Sequence, residues 1–240
     1  MSAAPRSRPW DAAVDPPLDW LEAVNRHGLV TRMVAATVHD VSNALQVMSG
    51  AAEMLGLDAS PDAVARRSAS IVQQALGATG ALQRLTAFSR EPERPAETVD
   101  VRALCERVLQ LRQYALRKGR ITAEVRGEEA RVQAPARALT QVLLNLVVNA
   151  ETALADRADA ALVLAVARDP DGVTVTVADN GPGLTPSAAA EVGLWPPPAA
   201  TTGLGIGLLV SRALVERAGG SLAVGPAVGG GTVATIRLRG

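Results

Sequence analysis

The sequence predicts an α+β protein in which an N-terminal helical hairpin precedes a two-layer α/β sandwich. Three observations lead there. A heptad-like apolar pattern runs through residues 18–90, interrupted by a single Gly-containing stop near its middle. A charged stretch with Pro92 and Pro95 follows at 91–98. Beyond it, short β-branched runs alternate with helical patterns to the end of the chain. The 240 residues suit one large domain or two small ones, and this change of texture favours two.

Residues 1–17 hold Pro5, Pro9, Pro16 and Pro17 among small and charged residues, which predicts a flexible arm. From Leu18 to Leu55 the pattern is helical: Val34, Val38, Val41, Leu45, Met48, Ala52 and Leu55 follow one another at alternating spacings of four and three. Gly56-Leu57 supplies the stop, and Ser60-Pro61-Asp62 a new cap, first-turn proline and acid. A second helix then runs to about Arg90, with Val64, Ile71, Ala75, Ala78, Leu82 and Leu85 as its seam. A lone hairpin 18–90 leaves half of that seam wet, and the economical cover is a second copy, making a homodimeric four-helix bundle. The other way to cover it is to pack the hairpin on the rest of its own chain. After the linker 91–98, residues 99–240 read as helices at 101–118, 136–155 and 206–218. Strands are expected at 121–125, 131–134, 161–167, 173–178, 221–224 and 232–238, with Asp169-Pro170-Asp171-Gly172 as a hairpin turn.

Apolar residues make up 48% of the chain, yet only three Trp, one Tyr and one Phe are present, so the cores are aliphatic. The 24 basic residues offset the 24 acidic ones, which leaves no net field to hold nucleic acid or an anionic membrane. No stretch approaches the roughly 20 apolar residues that span a bilayer. The first residues carry proline and charge where a signal peptide needs an apolar run. The expectation is a cytoplasmic protein, and the single Cys105 suits a reducing compartment as a small buried hydrophobe.

Four clusters carry chemistry. His39-Asp40-Val41-Ser42-Asn43 lies within the first helix, where His39, Ser42, Asn43 and Gln46 share a polar flank. An imidazole near its ordinary pKa offers a nucleophilic ring nitrogen at neutral pH, and the adjacent Asp40 is suited to orient it and take its proton. Asn145 and Asn149 lie on one face of an otherwise apolar helix, where they are either satisfied core amides or neutral hard ligands for Mg²⁺. Asp179-Asn180-Gly181-Pro182-Gly183 is ordinary turn chemistry except for Asp179, a strand-end carboxylate able to accept from an exocyclic amine such as that of adenine. Gly203-Leu204-Gly205-Ile206-Gly207 opens the last helix, where backbone N–H groups favour an anion.

In this order the clusters resemble the sensor histidine kinases of bacterial two-component systems, over about residues 29–240. HDVSNALQ resembles the family's phosphoacceptor box in its HDxxN form, and ALQRLTAFSR the end of its second helix. QVLLNLVVNA is similar to the asparagine box, and VADNGPGL and TGLGIGLLVSRALVERAGGSL to the two glycine boxes. The resemblance implies that 99–240 is a catalytic domain with the Bergerat ATP-binding fold shared with gyrase, chaperone and mismatch-repair ATPases. It implies His39 as the phosphorylated nucleophile, Asp40 as its base, and Asn43 as the residue orienting water in a reverse, phosphatase reaction. Asn149 with Asn145 would hold Mg²⁺ and Asp179 would read the adenine of ATP. Gly181, Gly183, Gly203, Gly205 and Gly207 would shape the nucleotide pocket.

Partners implied are a second copy of the chain, a response regulator receiver domain and a separate sensor protein. The sequence departs from the family in a short lid around Trp195 that lacks a basic residue, and in Glu151-Thr152 where relatives often carry one. Loss of one charged hydrogen bond costs about 1.5–3 kcal/mol, roughly 10- to 150-fold, which predicts slow ATP use. The alternative is a phosphotransfer or adaptor protein whose nucleotide domain has become a scaffold for docking receivers. A gyrase-type ATPase clamp would need a substitute for the water-activating Glu, because Asn145 stands in its place.

Overall fold

The computed structural model describes residues 16–57, 60–90, 95–183 and 206–240. Residues 1–15 of the expected arm, 91–94 of the expected linker, and Gly203 and Gly205 with the segment before them lie outside the described residues. Helix α1 (Leu18–Leu55) and helix α2 (Pro61–Arg90) form the expected hairpin. Helix α1 stops where the amide of Gly56 bonds to the carbonyl of Glu53 at 3.2 Å, and α2 starts where Ser60 accepts from the amide of Val64 at 2.9 Å. Among the described residues no helix is long and apolar enough to cross a membrane.

Part of the expected heptad lies inside the hairpin: Val41, Met48 and Leu55 on α1 and Ile71, Ala75, Ala78 and Leu85 on α2 are half-buried. Helix α1 buries Leu21, Leu29, Met33, Ala36 and Ala44, whereas Val34, Val38 and Leu45 are exposed. On α2, Val64, Val72, Leu76 and Leu82 are exposed as well. Alanines allow close approach, and these branched residues are left exposed. The two helices are unequal: Arg26 lies over the Phe88 ring, 4.9 Å from its centroid, and donates to the Phe88 carbonyl, so residues 18–25 of α1 project past the end of α2. The N-terminal part of α1 packs on the sandwich, where Leu21 of the projection and Leu29 and Met33 beyond it join the core. Packing of the hairpin on its own chain, the other expected outcome, therefore occurs over the first turns of α1.

The sandwich contains strand β1 (Glu97–Asp100), helix α3 (Val101–Lys118), strands β2 (Thr122–Gly127) and β3 (Arg131–Ala134), helix α4 (Ala136–Ala153), strands β4 (Ala161–Asp169) and β5 (Gly172–Asp179), helix α5 (Gly207–Arg217), and strands β6 (Ser221–Pro226) and β7 (Thr232–Arg239). Five strands form one mixed sheet in the order β2-β4-β5-β7-β6, parallel only between β2 and β4. Strands β1 and β3 make a separate antiparallel pair, and β1 begins inside the stretch read as linker. Alternation decides which face is covered: Leu162, Leu164, Val166, Val173, Val175, Val177, Ile236 and Leu238 are buried, with their neighbours on the other face. Side chains of α3, α4 and α5 complete this core, and α4 is its centre, buried from Val142 to Val148. Each such Val or Leu contributes about 1.5–3 kcal/mol of transfer free energy. Asp100 caps α3 by accepting from the amide of Ala103 at 3.0 Å.

Cys105 is fully buried in α3, as expected of a small hydrophobe. Burial foremost, and then the nearby charges of Glu106 and Asp100, push its thiol from 9.0 up to about 12. Below pH 9 the thiol is neutral in both folded and unfolded chains and pH has no leverage through it. Between pH 9 and about 12 the unfolded chain releases the proton first, so stability falls as pH rises through that window. Native protein at pH 7.5 should therefore resist a thiol reagent such as Ellman's until denaturant is added, and urea midpoints should drop between pH 8.5 and 10.5 by less in Cys105→Ala than in wild type.

Candidate functional site

Strand β5 ends at Asp179, a buried carboxylate. Its Oδ1 accepts from the amide of Gly181 at 2.9 Å and from that of Thr232 at 3.3 Å. Both donors fall on one oxygen, which leaves Oδ2 for an amine donor from a ligand. Asn180 is structural: its Oδ1 accepts from the Ala161 amide and its Nδ2 donates to the Asp159 carbonyl, both at 2.8 Å, clipping the turn to the start of β4. A Cβ on Gly181 would sit 2.8 Å from Asp179 Oδ1 and 3.2 Å from the carbonyl of Ala153, so the turn abuts the end of α4 without room for a side chain. Gly183 lies beside Gly231, whose own φ is +92°. A Cβ on Gly231 would meet the Asp179 carbonyl oxygen at 1.9 Å, which makes this glycine part of the same corner.

Helix α4 supplies the two asparagines, and the structure separates them. Asn145 is buried and fully engaged: its Oδ1 accepts from Asn25 Nδ2 at 2.9 Å, and its Nδ2 lies 3.0 Å from Asn25 Oδ1, 3.1 Å from the Gly207 carbonyl and 3.0 Å from Ser211 Oγ. It is thus the satisfied core amide of the two readings. Asn149, one turn on, is exposed. Among the described residues no group of three or more His, Cys, Asp or Glu could hold a metal. A single neutral amide oxygen fits an Mg²⁺ that arrives with phosphate oxygens and keeps its waters, and it fits no metal held by the protein alone. Glu151 turns the other way, receiving Arg112 Nε at 2.9 Å and Nη2 at 2.5 Å in a nearly dry clamp between α4 and α3. Gly207 offers its carbonyl to Asn145, and a Cβ there would make only ordinary contact, 3.4 Å from Asn145 Oδ1.

His39 is exposed in the middle of α1. Its Nδ1 is 2.9 Å from Asn43 Nδ2, one turn along. Ring-nitrogen and amide assignments exchange together, so this contact joins either an amide donor to a bare Nδ1 or an amide oxygen to Nδ1–H. Asp40 faces Arg117 of α3 at 3.8 Å, and the His39 ring lies 4.4 Å from that of Tyr114 on the same helix, tilted by 36°. The phosphoacceptor-like cluster thus touches α3, while Asn149, Asp179, Gly181 and Gly183 gather where α4 meets the end of β5.

Several residues at these sites carry no signal in the sequence. Thr232 and Gly231 reach Asp179 only because β5 pairs with β7, which sets Asp179 opposite Thr232. Tyr114 and Arg117 look like ordinary positions of an amphipathic helix, and Asn25 like an ordinary surface amide.

Residues 134–240 match the family model described as histidine kinase-, DNA gyrase B- and HSP90-like ATPase. The C4-dicarboxylate transport sensor protein DctS of Rhodobacter capsulatus is 37% identical over 147 residues, 60% of this chain and 21% of DctS. The sensor histidine kinase ZraS of Klebsiella oxytoca is 30% identical over 215 residues, 86% of this chain and 45% of ZraS. The chain thus spans between a fifth and a half of the length of these curated relatives. Among solved structures, the catalytic domain of histidine kinase ThkA superposes with a TM-score of 0.55 at 24% identity, covering 61% of this chain and 96% of that domain, a likeness of fold.

The corner around Asp179 yields a direct check. Gly231→Ala forces a side chain into left-handed backbone against the Asp179 carbonyl, and should cost more than about 1 kcal/mol in urea unfolding. Gly207→Ala, which has space, should stay within about 0.5 kcal/mol of wild type.

Proposed function

We propose that the protein moves the γ-phosphoryl group of Mg-ATP to His39 and then to an aspartate of a response regulator receiver domain, a reading supported by the match of residues 134–240 to the family of histidine kinase-, DNA gyrase B- and HSP90-like ATPases. The observation that carries this reading is an exposed histidine with one ring nitrogen already engaged by Asn43, on the same chain as a buried strand-end carboxylate with one oxygen spare. With Nδ1 occupied, Nε2 is the nitrogen left to attack. It bears a lone pair when the proton sits on Nδ1 and Asn43 Oδ1 accepts it.

Attack of Nε2 on the γ-phosphorus forms the N–P bond as the bond to the bridging oxygen breaks and ADP leaves. For Asp40 to serve as base, the Nδ1–H turns from Asn43 to the Asp40 carboxylate, which leaves Arg117, takes the proton and returns it to solvent. Asp179 Oδ2 accepts the exocyclic amine of adenine, and the turn from Gly181 to Gly183 with the glycines 203, 205 and 207 borders the nucleotide. A bound Mg²⁺ supplies charge neutralisation at the phosphates, and Asn149 is the residue that would hold it. In the reverse direction, Asn43 orients water against the aspartyl phosphate of the regulator. The exposed apolar residues Val38, Leu45, Val72 and Leu76 are covered by a second copy in a four-helix bundle, with input from a separate sensor protein.

One observation favours the adaptor reading: Asn145 is spent on α1, and Glu151, a carboxylate, is spent on Arg112, so neither position offers the phosphates a group. Calorimetry with Mg-ATP separates the two, since an adaptor with a scaffold domain takes up no nucleotide. If the kinase reading holds, γ-labelled ATP should leave an acid-labile, base-stable phosphate on the wild-type chain and none on His39→Gln. Asp179→Asn should weaken Mg-ATP binding about 10- to 150-fold, the loss of one charged hydrogen bond.

A further inference from the structure

His39 is held on two sides and open on a third. The centroid of the Tyr114 ring lies 4.4 Å from that of the imidazole, and Asn43 engages Nδ1. Neither contact uses Nε2. A group bonded to that nitrogen lies in the plane of the imidazole, so Tyr114 can keep its place against a modified ring. One turn beyond Tyr114 on α3, Arg117 reaches to 3.8 Å from the carboxylate of Asp40, the residue next to His39. That separation is too long for a hydrogen bond, so the guanidinium spends none of its five N–H donors on Asp40. The Arg117 side chain is 66% exposed, which gives it room to turn, and an ion pair that wet contributes little.

The charge at this spot suits a stronger anion than Asp40. The last turn of α3 holds Arg117 and Lys118 and no acid. Two full positive charges outweigh the roughly half negative charge of a helix C-terminus. A phosphoryl group adds about −1.5 to −2 charges and three strong acceptor oxygens, and opposite an arginine it forms charge-assisted hydrogen bonds. Beside Asp40 alone the same charge would be repelled. The proton transfer proposed above takes Asp40 off Arg117, which leaves the guanidinium for the phosphoryl oxygens.

Resting on the reading of His39 as phosphoacceptor, we propose that Arg117, beside Tyr114, makes a binding site on α3 for phosphohistidine: the imidazole lies against Tyr114, and Arg117 takes the oxygens of the phosphoryl group on Nε2. The site belongs to the arrangement of this structure, with α3 against α1, and so acts on the phosphorylated chain after transfer. Arg117 thus reads the modification and takes no part in the transfer itself.

The full chain is phosphorylated with phosphoramidate: histidine nitrogen attacks its phosphorus, ammonia leaves, and no nucleotide is needed. Phosphorus NMR then follows the phosphohistidine resonance as the phosphoryl group takes up its last proton, near about pH 6. The signal missing from His39→Gln is assigned to His39, which sets aside His27, the other histidine of the chain. Arg117 is exposed, so its variants should keep the thermal midpoint of wild type. The protonation midpoint should lie at least about half a pH unit lower in wild type than in Arg117→Gln, roughly three-fold in proton affinity, with Arg117→Lys between them. Equal midpoints in wild type and Arg117→Gln overturn the site. Labelling of His39 by phosphoramidate and not by Mg-ATP sinks the kinase reading alone, and the site is still judged on the titration. A His39 that accepts the group from neither donor overturns both.

Discussion

Helix α4 is surrounded by protein from Val142 to Val148, so its long polar side chains turn to neighbouring elements for partners. That constraint organises the molecule. Asn145 and Gln141 draw α1 onto the domain, Glu151 draws in Arg112 of α3, and only Asn149 at the exposed end is left for a ligand. Charge is treated the same way: the Arg112–Glu151 pair is nearly dry, and taking away either member would strand the other. The nucleotide corner follows from the position of α4, because Ala153 at its end packs under Gly181 and thereby sets the turn that follows Asp179.

Much of this was legible in the residues. One-sided alternation in β4 and β5 announced the covered sheet, and the cost of burying two amides marked α4 as unusual. Asp179 stood out because the turn after it explains everything except a carboxylate. What escaped depends on long-range pairing. Strand β1 is four residues long and exists only by pairing with β3, and Thr232 reaches Asp179 from 53 positions away. The hairpin seam was legible in part: Val41, Met48, Leu55, Ile71 and Leu85 are half-buried as expected, whereas Val34, Val38, Val64 and Leu82 are exposed and alanine is what lets α1 sink inward at Ala36 and Ala44.

The clusters that the sequence brings together as a family pattern occupy two places in the fold. His39, Asp40 and Asn43 stand on α1 against Tyr114 and Arg117, and the remainder of the pattern frames the far end of α4. The proposed transfer between two such places requires a rearrangement that involves the contact between α1 and the sandwich. That contact joins the buried amides of Asn25, Gln141 and Asn145 to the apolar side chains of Leu21, Leu29 and Met33.

The sequestered thiol of α3 has a practical side. With its one sulfhydryl enclosed in aliphatic packing, the native chain offers no competing handle on its described surface. Cysteines introduced on α1 and α5 would therefore accept spin labels or fluorophores selectively, and interhelical distances could be followed during turnover without first engineering the parent background.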